Sequence, residues 1–311
     1  TRNCWCGPME RAAILRLTEL TKGSQPAYEG TAVDITGLTS NSRNVRPGYL
    51  FAALDGSRVR GVDFIPEALR LGAAAVLAPP GTEVDSAPPG GATLITDENP
   101  RRRFAEMAAR FFERQPRTIA AVTGTNGKTS TVSFLRELWR SDGRKATSLG
   151  GLGVEGDAPT SATELTTPDS VTLHRTLAAL ADANISHCAL EASSHGLDQY
   201  RLDGARISAC AFLNLTRDHL DYHHDLETYF TAKARLFAEV MQPGGDGVLN
   251  ADSPYSQRIA EICRARGHRV ILFGHTEGDI RLVERSDEDS GQRIKIELLG
   301  QTYDLRIALP G

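Results

Sequence analysis

A short apolar run, Ile119-Ala120-Ala121-Val122, passes straight into Thr123-Gly124-Thr125-Asn126-Gly127-Lys128-Thr129-Ser130. A helical pattern carrying Phe134, Leu135, Leu138 and Trp139 follows at once. Strand, glycine-rich turn and helix in that order restrict the fold more than any other feature of the 311 residues. This is the context of a phosphate-binding P-loop. Glycines let backbone N–H groups close on phosphate oxygens, and the helix N-terminus adds a favourable dipole. Gly124, Thr125, Asn126, Gly127, Lys128, Thr129 and Ser130 are therefore the candidate nucleotide-binding residues. Lys128 neutralises phosphate charge, and the Thr129 hydroxyl suits Mg²⁺. The loop is a variant, because the usual first glycine falls at Val122. Phosphate binding alone fits kinases, GTPases and ligases equally.

Around this motif the pattern alternates. Strands are predicted at residues 187–190 and 207–213, with a helix over 171–183 before the first. Such alternation argues for an α/β fold with a mainly parallel sheet covered on both faces. Residues 293–298 and 302–309 alternate apolar and polar side chains around Gly300-Gln301, which predicts an antiparallel hairpin. The acidic Asp287-Glu288-Asp289 reads as a solvated turn.

Residues 10–116 form a second, mixed pattern. Strands are expected at 49–54 and 74–78, a helix from Phe64, and a Pro/Gly-rich loop over 79–91. A helix over 101–114 places Phe104, Met107, Ala108 and Phe111 on one face, and Gln115-Pro116 ends it. The chain thus divides into a small α/β domain over 9–116 and a P-loop domain over 117–311. Residues 1–8 show no periodicity and are set aside as a leftover of expression or an upstream extension.

Charge is balanced, 35 Lys+Arg against 39 Asp+Glu, and nothing global points to nucleic acid. No apolar run approaches the roughly 20 residues of a membrane span. The five cysteines, Cys4, Cys6, Cys188, Cys210 and Cys263, are too scattered for a disulfide framework and suit a reducing cytoplasm.

Other candidates lie downstream. Glu191 follows the apolar Cys188-Ala189-Leu190, and a carboxylate at the carboxyl end of such a strand faces the ligand crevice. It either completes an Mg²⁺ site with Thr129 or is a helix-capping or salt-bridged Glu. Ser193-Ser194-His195 lacks the G-x-S-x-G elbow of a serine hydrolase. His219 and His223 have i, i+4 spacing but no H-E-x-x-H, and a neighbouring phosphate site makes Mg²⁺ the simpler metal than zinc. Lys233, by its spacing, is an ordinary solvated helix lysine.

Taken together, residues 123–130, Thr166-Thr167-Pro168-Asp169, residues 191–201, residues 214–224 and Ala232-Lys233 closely resemble, in order, the motifs of the Mur ligases. The closest likeness is to the type that adds the third amino acid to UDP-N-acetylmuramoyl-L-alanyl-D-glutamate. Ser40-Asn41-Ser42-Arg43, Gly48-Tyr49-Leu50-Phe51 and Leu54-Asp55-Gly56 resemble its uridine-binding region. The resemblance implies ATP and Mg²⁺ as cofactors, with the UDP-muramoyl-dipeptide and a diamino acid as substrates. It assigns Ser40, Ser42, Ser57, Arg58 and Val59 to the UDP end, and Thr166, Thr167, Ser193, Gln199 and Arg201 to the muramoyl-dipeptide. Leu165 stands where some relatives carry Asn. It places Thr129 and Glu191 on one Mg²⁺, His219 and a carbamylated Lys233 at a second, and Asn250 against adenine. The implied chemistry converts the D-glutamate carboxylate into an acyl phosphate, which an amine then attacks, with Lys128, Glu191, His219 and Lys233 as its catalytic set.

Family members carry a further, C-terminal domain that recognises the incoming amino acid, and the chain ends at Gly311 before it. The acceptor expected on family frequency is meso-diaminopimelate. Asp97-Glu98-Asn99-Pro100-Arg101 resembles the D-N-P-R signature of that choice, but it has an inserted Glu and lies in the wrong domain. Two rivals remain. A folylpolyglutamate synthase shares the P-loop and metal residues, against which the 40–56 region argues. A non-catalytic UDP-sugar-binding protein would not need Lys128, Glu191, His219 and Lys233 together.

Overall fold

The computed structural model describes residues 14–22, 33–56, 59–83, 91–158, 165–298 and 300–308. In chain order it opens with β1 (Leu15–Arg16), α1 (Leu17–Leu20), β2 (Asp34–Ile35), β3 (Gly37–Thr39), β4 (Tyr49–Ala52), α2 (Ile65–Arg70), β5 (Ala75–Ala78), β6 (Thr93–Thr96) and α3 (Pro100–Phe112). Next come β7 (Thr118–Thr123), α4 (Lys128–Ser141), β8 (Ala146–Gly150), β9 (Gly153–Gly156), α5 (Ser170–Asp182), β10 (His187–Glu191), α6 (Ser194–Asp198) and β11 (Ile207–Phe212). The rest is α7 (Leu220–His223), α8 (Leu226–Arg235), β12 (Asp246–Asn250), α9 (Ser256–Ala265), β13 (Arg269–Gly274), β14 (Ile280–Glu288), β15 (Gly291–Leu298) and β16 (Gln301–Ile307).

The chain forms two compact units. The first comprises Thr1–Gln115, Pro168–Asn184 and Gln199–Ala205; the second comprises Pro116–Thr167, Ile185–Asp198 and Arg206–Gly311. In the first, β3, β4, β5 and β6 pair in parallel. Helix α3 starts where Asn99 accepts the Arg102 N–H and Pro100 supplies a pre-set φ. The D-E-N-P-R run is thus a helix cap. The expected face of α3 is buried, and Val171 of α5 joins Phe104, Met107, Ala108 and Phe111 in one core. Helix α5, expected to cover the P-loop sheet, therefore packs in the first unit.

The second unit holds one sheet in the order β16-β15-β14-β13-β12-β11-β7-β10-β8-β9 among the described residues. Strands from β14 through β8 pair in parallel, with β9 antiparallel at one edge and β15 and β16 antiparallel at the other. Central strands buried on both faces need unbroken apolar sequence, and Ile119, Ala121, Val122, Cys188, Ala189 and Leu190 are essentially inaccessible. The expected hairpin is present as β15 and β16. The acidic turn is corrected: Asp287 and Glu288 close β14, where pairing with Gln292 and Gly291 extends the strand, and only Asp289 turns. Helix α4 buries Val132 and packs Leu135 and Trp139, yet leaves Phe134 and Leu138 exposed at 51% and 65%. Among the described residues no helix is long and apolar enough to cross a membrane.

Candidate functional site

Strand β7 is flanked by β10 and β11, although neither adjoins it in sequence. The carboxyl ends at such a crossing form the natural crevice of an open α/β sheet. Three segments leave the sheet there: the P-loop after Thr123, Glu191 at the end of β10, and the chain after Phe212. Gly127 is the N-cap of α4, with φ +86, a left-handed conformation costly for any residue with a Cβ. The first N–H groups of α4 lack intrahelical acceptors, which makes this end an anion site. The Lys128 Nζ donates to the carbonyls of Gly124 (2.8 Å) and Thr125 (2.9 Å), so its charge lies over the loop. Burial lowers its pKa, and the Glu191 and Asp218 carboxylates oppose that shift. Asn126 and Ser130 are exposed.

Parallel register places Glu191 beside Val122, one residue before the loop begins. Its Oε1 accepts from Thr129 Oγ1 (2.9 Å) and from the Gly151 N–H (3.0 Å). A Cβ on Gly150 would collide with this carboxylate. The hydroxyl and carboxylate are hard oxygen donors in contact, and they fit Mg²⁺, which takes one or two protein oxygens and completes its shell with water and phosphate. No group of three or more His, Cys, Asp or Glu among the described residues is arranged to hold a metal ion. Behind Glu191, Thr167 Oγ1 donates to the Glu191 carbonyl (2.9 Å) and accepts from the Ser193 N–H (3.0 Å). Ser193 Oγ lies 3.0 Å from the same hydroxyl and accepts from the Gly196 N–H (3.1 Å). Thr166 precedes this network, half-buried.

Lys233 overturns the solvated-helix reading. It is 1% exposed, and its Nζ donates to the Gly124 carbonyl at 2.9 Å while lying 4.5 Å from the centre of the Tyr229 ring. Asp225 caps α8 by accepting the Thr228 N–H, and this start aims both Tyr229 and Lys233 inward. Burial, with the nearby Lys128 charge, brings the Lys233 pKa down to about 7. His219 precedes α7 with φ +52 and an imidazole that is nearly half exposed. Its ring makes an edge contact with His195 (4.9 Å between centroids) and lies 6.2 Å from Tyr229. His223 is buried beside Tyr229, so the i, i+4 histidines do not present a shared exposed pair.

Asn250 is held by Nδ2 donation to the Leu213 carbonyl (2.8 Å) and accepts the Asp252 N–H (3.1 Å). Gln199 and Arg201 belong to the first unit and pair with one another, Arg201 Nη2 to Gln199 Oε1 at 2.6 Å. In that unit Ser42 donates to Glu67 (2.7 Å), and Ser40 and Val59 are exposed. Ser57 and Arg58 lie outside the described residues, as do Cys4 and Cys6. The structure thus gathers Gly124, Thr125, Lys128, Thr129, Glu191 and Lys233 around one loop. Sequence reasoning missed Tyr229, Gly150 and Gly151. Only the Gly150-Gly151 pair carried a signal, as a glycine step just after a strand.

A mainly parallel sheet with a glycine-rich loop capping a helix at its crossing point defines an α/β protein of the P-loop class. Residues 122–311 match the Mur ligase middle domain, and residues 34–112 match the Mur ligase family, catalytic domain. The chain belongs to the Mur ligase family. It is 44% identical over 277 residues to the UDP-N-acetylmuramoyl-L-alanyl-D-glutamate–2,6-diaminopimelate ligase of Zymomonas mobilis subsp. mobilis, covering 89% of this chain and 56% of that protein. The protein of the same name from Bradyrhizobium diazoefficiens is 45% identical over 286 residues, covering 90% and 58%. A solved structure of a ligase with this name superposes with a TM-score of 0.83 at 27% identity, covering 95% of this chain and 60% of that one. The chain therefore spans just over half the length of the curated relatives it matches.

Proposed function

We propose that this chain is the UDP-substrate and nucleotide-handling part of an ATP-dependent ligase. That enzyme would join a diamino acid to the D-glutamate carboxylate of UDP-N-acetylmuramoyl-L-alanyl-D-glutamate. The observation that carries the reading is the meeting of Lys128, Thr129, Glu191 and Lys233 at one P-loop. Relatives at 44% and 45% identity named for 2,6-diaminopimelate support that acceptor.

A carboxylate resists amines because oxide is a poor leaving group; phosphorylation by ATP supplies a good one. Phosphoryl transfer brings two anions together, and catalysis is largely positioning and charge offset. Lys128 would supply fixed positive charge at the phosphates. Thr129 and Glu191 would hold Mg²⁺, which would offset the negative charge gathered at the phosphates. Lys233, near neutrality as an amine, is suited to capture CO₂ and present a carbamate toward a second Mg²⁺ with His219. Asn250 would flank adenine. Ser40, Ser42 and Val59 would take the UDP end, and Thr166, Thr167, Ser193, Gln199 and Arg201 the dipeptide.

Calorimetry on the chain tests this. Mg-ATP and UDP-muramoyl-dipeptide should both bind, with Lys128→Ala abolishing only the first and Ser42→Ala weakening only the second. Failure of the UDP-dipeptide to bind, or equal binding of a sugar-free dipeptide, would sink the proposal.

A further inference from the structure

The P-loop does not stand alone: the chain leaving β11 is laid against it. The Leu213 N–H donates to the Thr123 carbonyl (3.0 Å), and the Thr125 N–H donates to the Asn214 carbonyl (3.0 Å). The first bond closes the β7–β11 ladder and the second, shifted by one residue, ties the loop to the chain beyond it. Backbone pairing then stops and the Asn214 side chain takes over. Its Oδ1 accepts the Asn126 N–H at 2.9 Å, and its Nδ2 donates to the Asn126 carbonyl at 3.2 Å. A side-chain amide thus stands in for one peptide of a neighbouring strand. Asn and Gln alone offer that planar donor–acceptor pair, and the two partners fix which end is oxygen. Two residues after Asn214, the Thr216 N–H donates to Thr125 Oγ1 (3.0 Å). Gly124 makes the approach possible, since a Cβ there would lie 3.0 Å from Leu213 Cβ and 3.3 Å from the Asn214 nitrogen.

This grip has a consequence for phosphate binding. The Asn126 N–H is spent on Asn214, whereas the first N–H groups of α4, beginning beside Gly127, have no intrahelical acceptor and are open to an anion. Clamping both the N–H and the C=O of Asn126 sets the peptide plane that leads into the left-handed Gly127. We infer that Asn214 is a positioning residue of the phosphate cradle, whose amide orients the P-loop so that the α4 N-terminus meets a nucleoside polyphosphate. The inference rests on the nucleotide-binding reading above.

The test compares ADP with adenosine on the 311-residue chain, by competition against a fluorescent nucleotide, alongside the thermal midpoint. Asn214→Ala should weaken ADP about tenfold or more and adenosine less than about twofold, as expected when a bond serving only the phosphate loop is lost. Asn214→Asp retains the acceptor for the Asn126 N–H but loses the donor and adds a negative charge. It should fold and should weaken ADP further still. Unchanged ADP affinity in either folded variant would overturn the inference, and so would equal losses for ADP and adenosine, which would mark a general structural role. Should the Ala variant not fold, the Asp variant decides by the same comparison. Wild-type chain that binds no ADP would overturn the nucleotide reading itself, an outcome visible before any variant is made.

Discussion

Lys128 and Lys233 donate to the same acceptor, the carbonyl oxygen of Gly124, at 2.8 and 2.9 Å. Lys128 comes from the loop itself, and Lys233 arrives from a helix 105 positions later in the chain (233 − 128). Two ammonium groups on one oxygen in a buried place repel, and burial already disfavours the charge on Lys233. Its pKa of about 7 against an ordinary 10.5 expresses both.

A pH dependence follows. Between pH 10.5 and about 7 the unfolded chain carries a proton on Lys233 that the folded chain lacks. Stability therefore falls as pH drops through that window and levels off below it. Lys233→Met should remove this slope, so that its thermal midpoint varies less than wild type across the window. Equal slopes would mean that the folded protein keeps this amine charged.

The same neutral amine should be chemically visible. Chain equilibrated with ¹³C-bicarbonate above pH 7 should give a carbamate carbon signal by NMR, strengthened by Mg²⁺ with nucleotide and missing from Lys233→Met. A spectrum identical in the two proteins would leave no carbamylated Lys233 to act in the reaction.

Glu191 is aimed by its neighbours. Gly150→Ala places a methyl where the carboxylate lies and pushes it from Thr129 and the Gly151 N–H. Disturbing a group that orients a metal ligand typically costs about 10–100-fold in metal affinity. Mn²⁺ binding in the presence of ADP, followed by electron paramagnetic resonance, should weaken by that much. Wild-type affinity in a folded Gly150→Ala variant would refute the proposed metal role of Glu191.

The first unit depends on chain far downstream of residue 116. Val171 sits in the core under α3, Arg175 stacks on Phe112, and His174 Nε2 lies 2.9 Å from the Asp203 carbonyl. A fragment of residues 9–116 uncovers that face of α3 and should show weak, non-cooperative thermal unfolding. A cooperative transition as high as that of the whole chain would show that α5 is dispensable to this core.

Much of the protein was legible as sequence because its signals are contiguous. The P-loop lies within eight consecutive residues, the buried face of α3 follows helical spacing, and the β15–β16 hairpin follows strict alternation. Short-range sterics and hydrogen bonding decide such patterns, so they survive without knowledge of the rest of the fold. Tertiary structure alone decided which distant residues complete them. Parallel register between β7 and β10 brings Glu191 to Thr129, and α8 carries Lys233 to the Gly124 carbonyl, where an apparent surface lysine is a buried amine. The spacing of Lys233 matches that of any solvated helix lysine, because burial depends on what another element places over it. For the same reason Asn214 passed as one residue of a longer motif. Its role exists only where the missing Cβ of Gly124 lets two strand ends close to hydrogen-bonding distance.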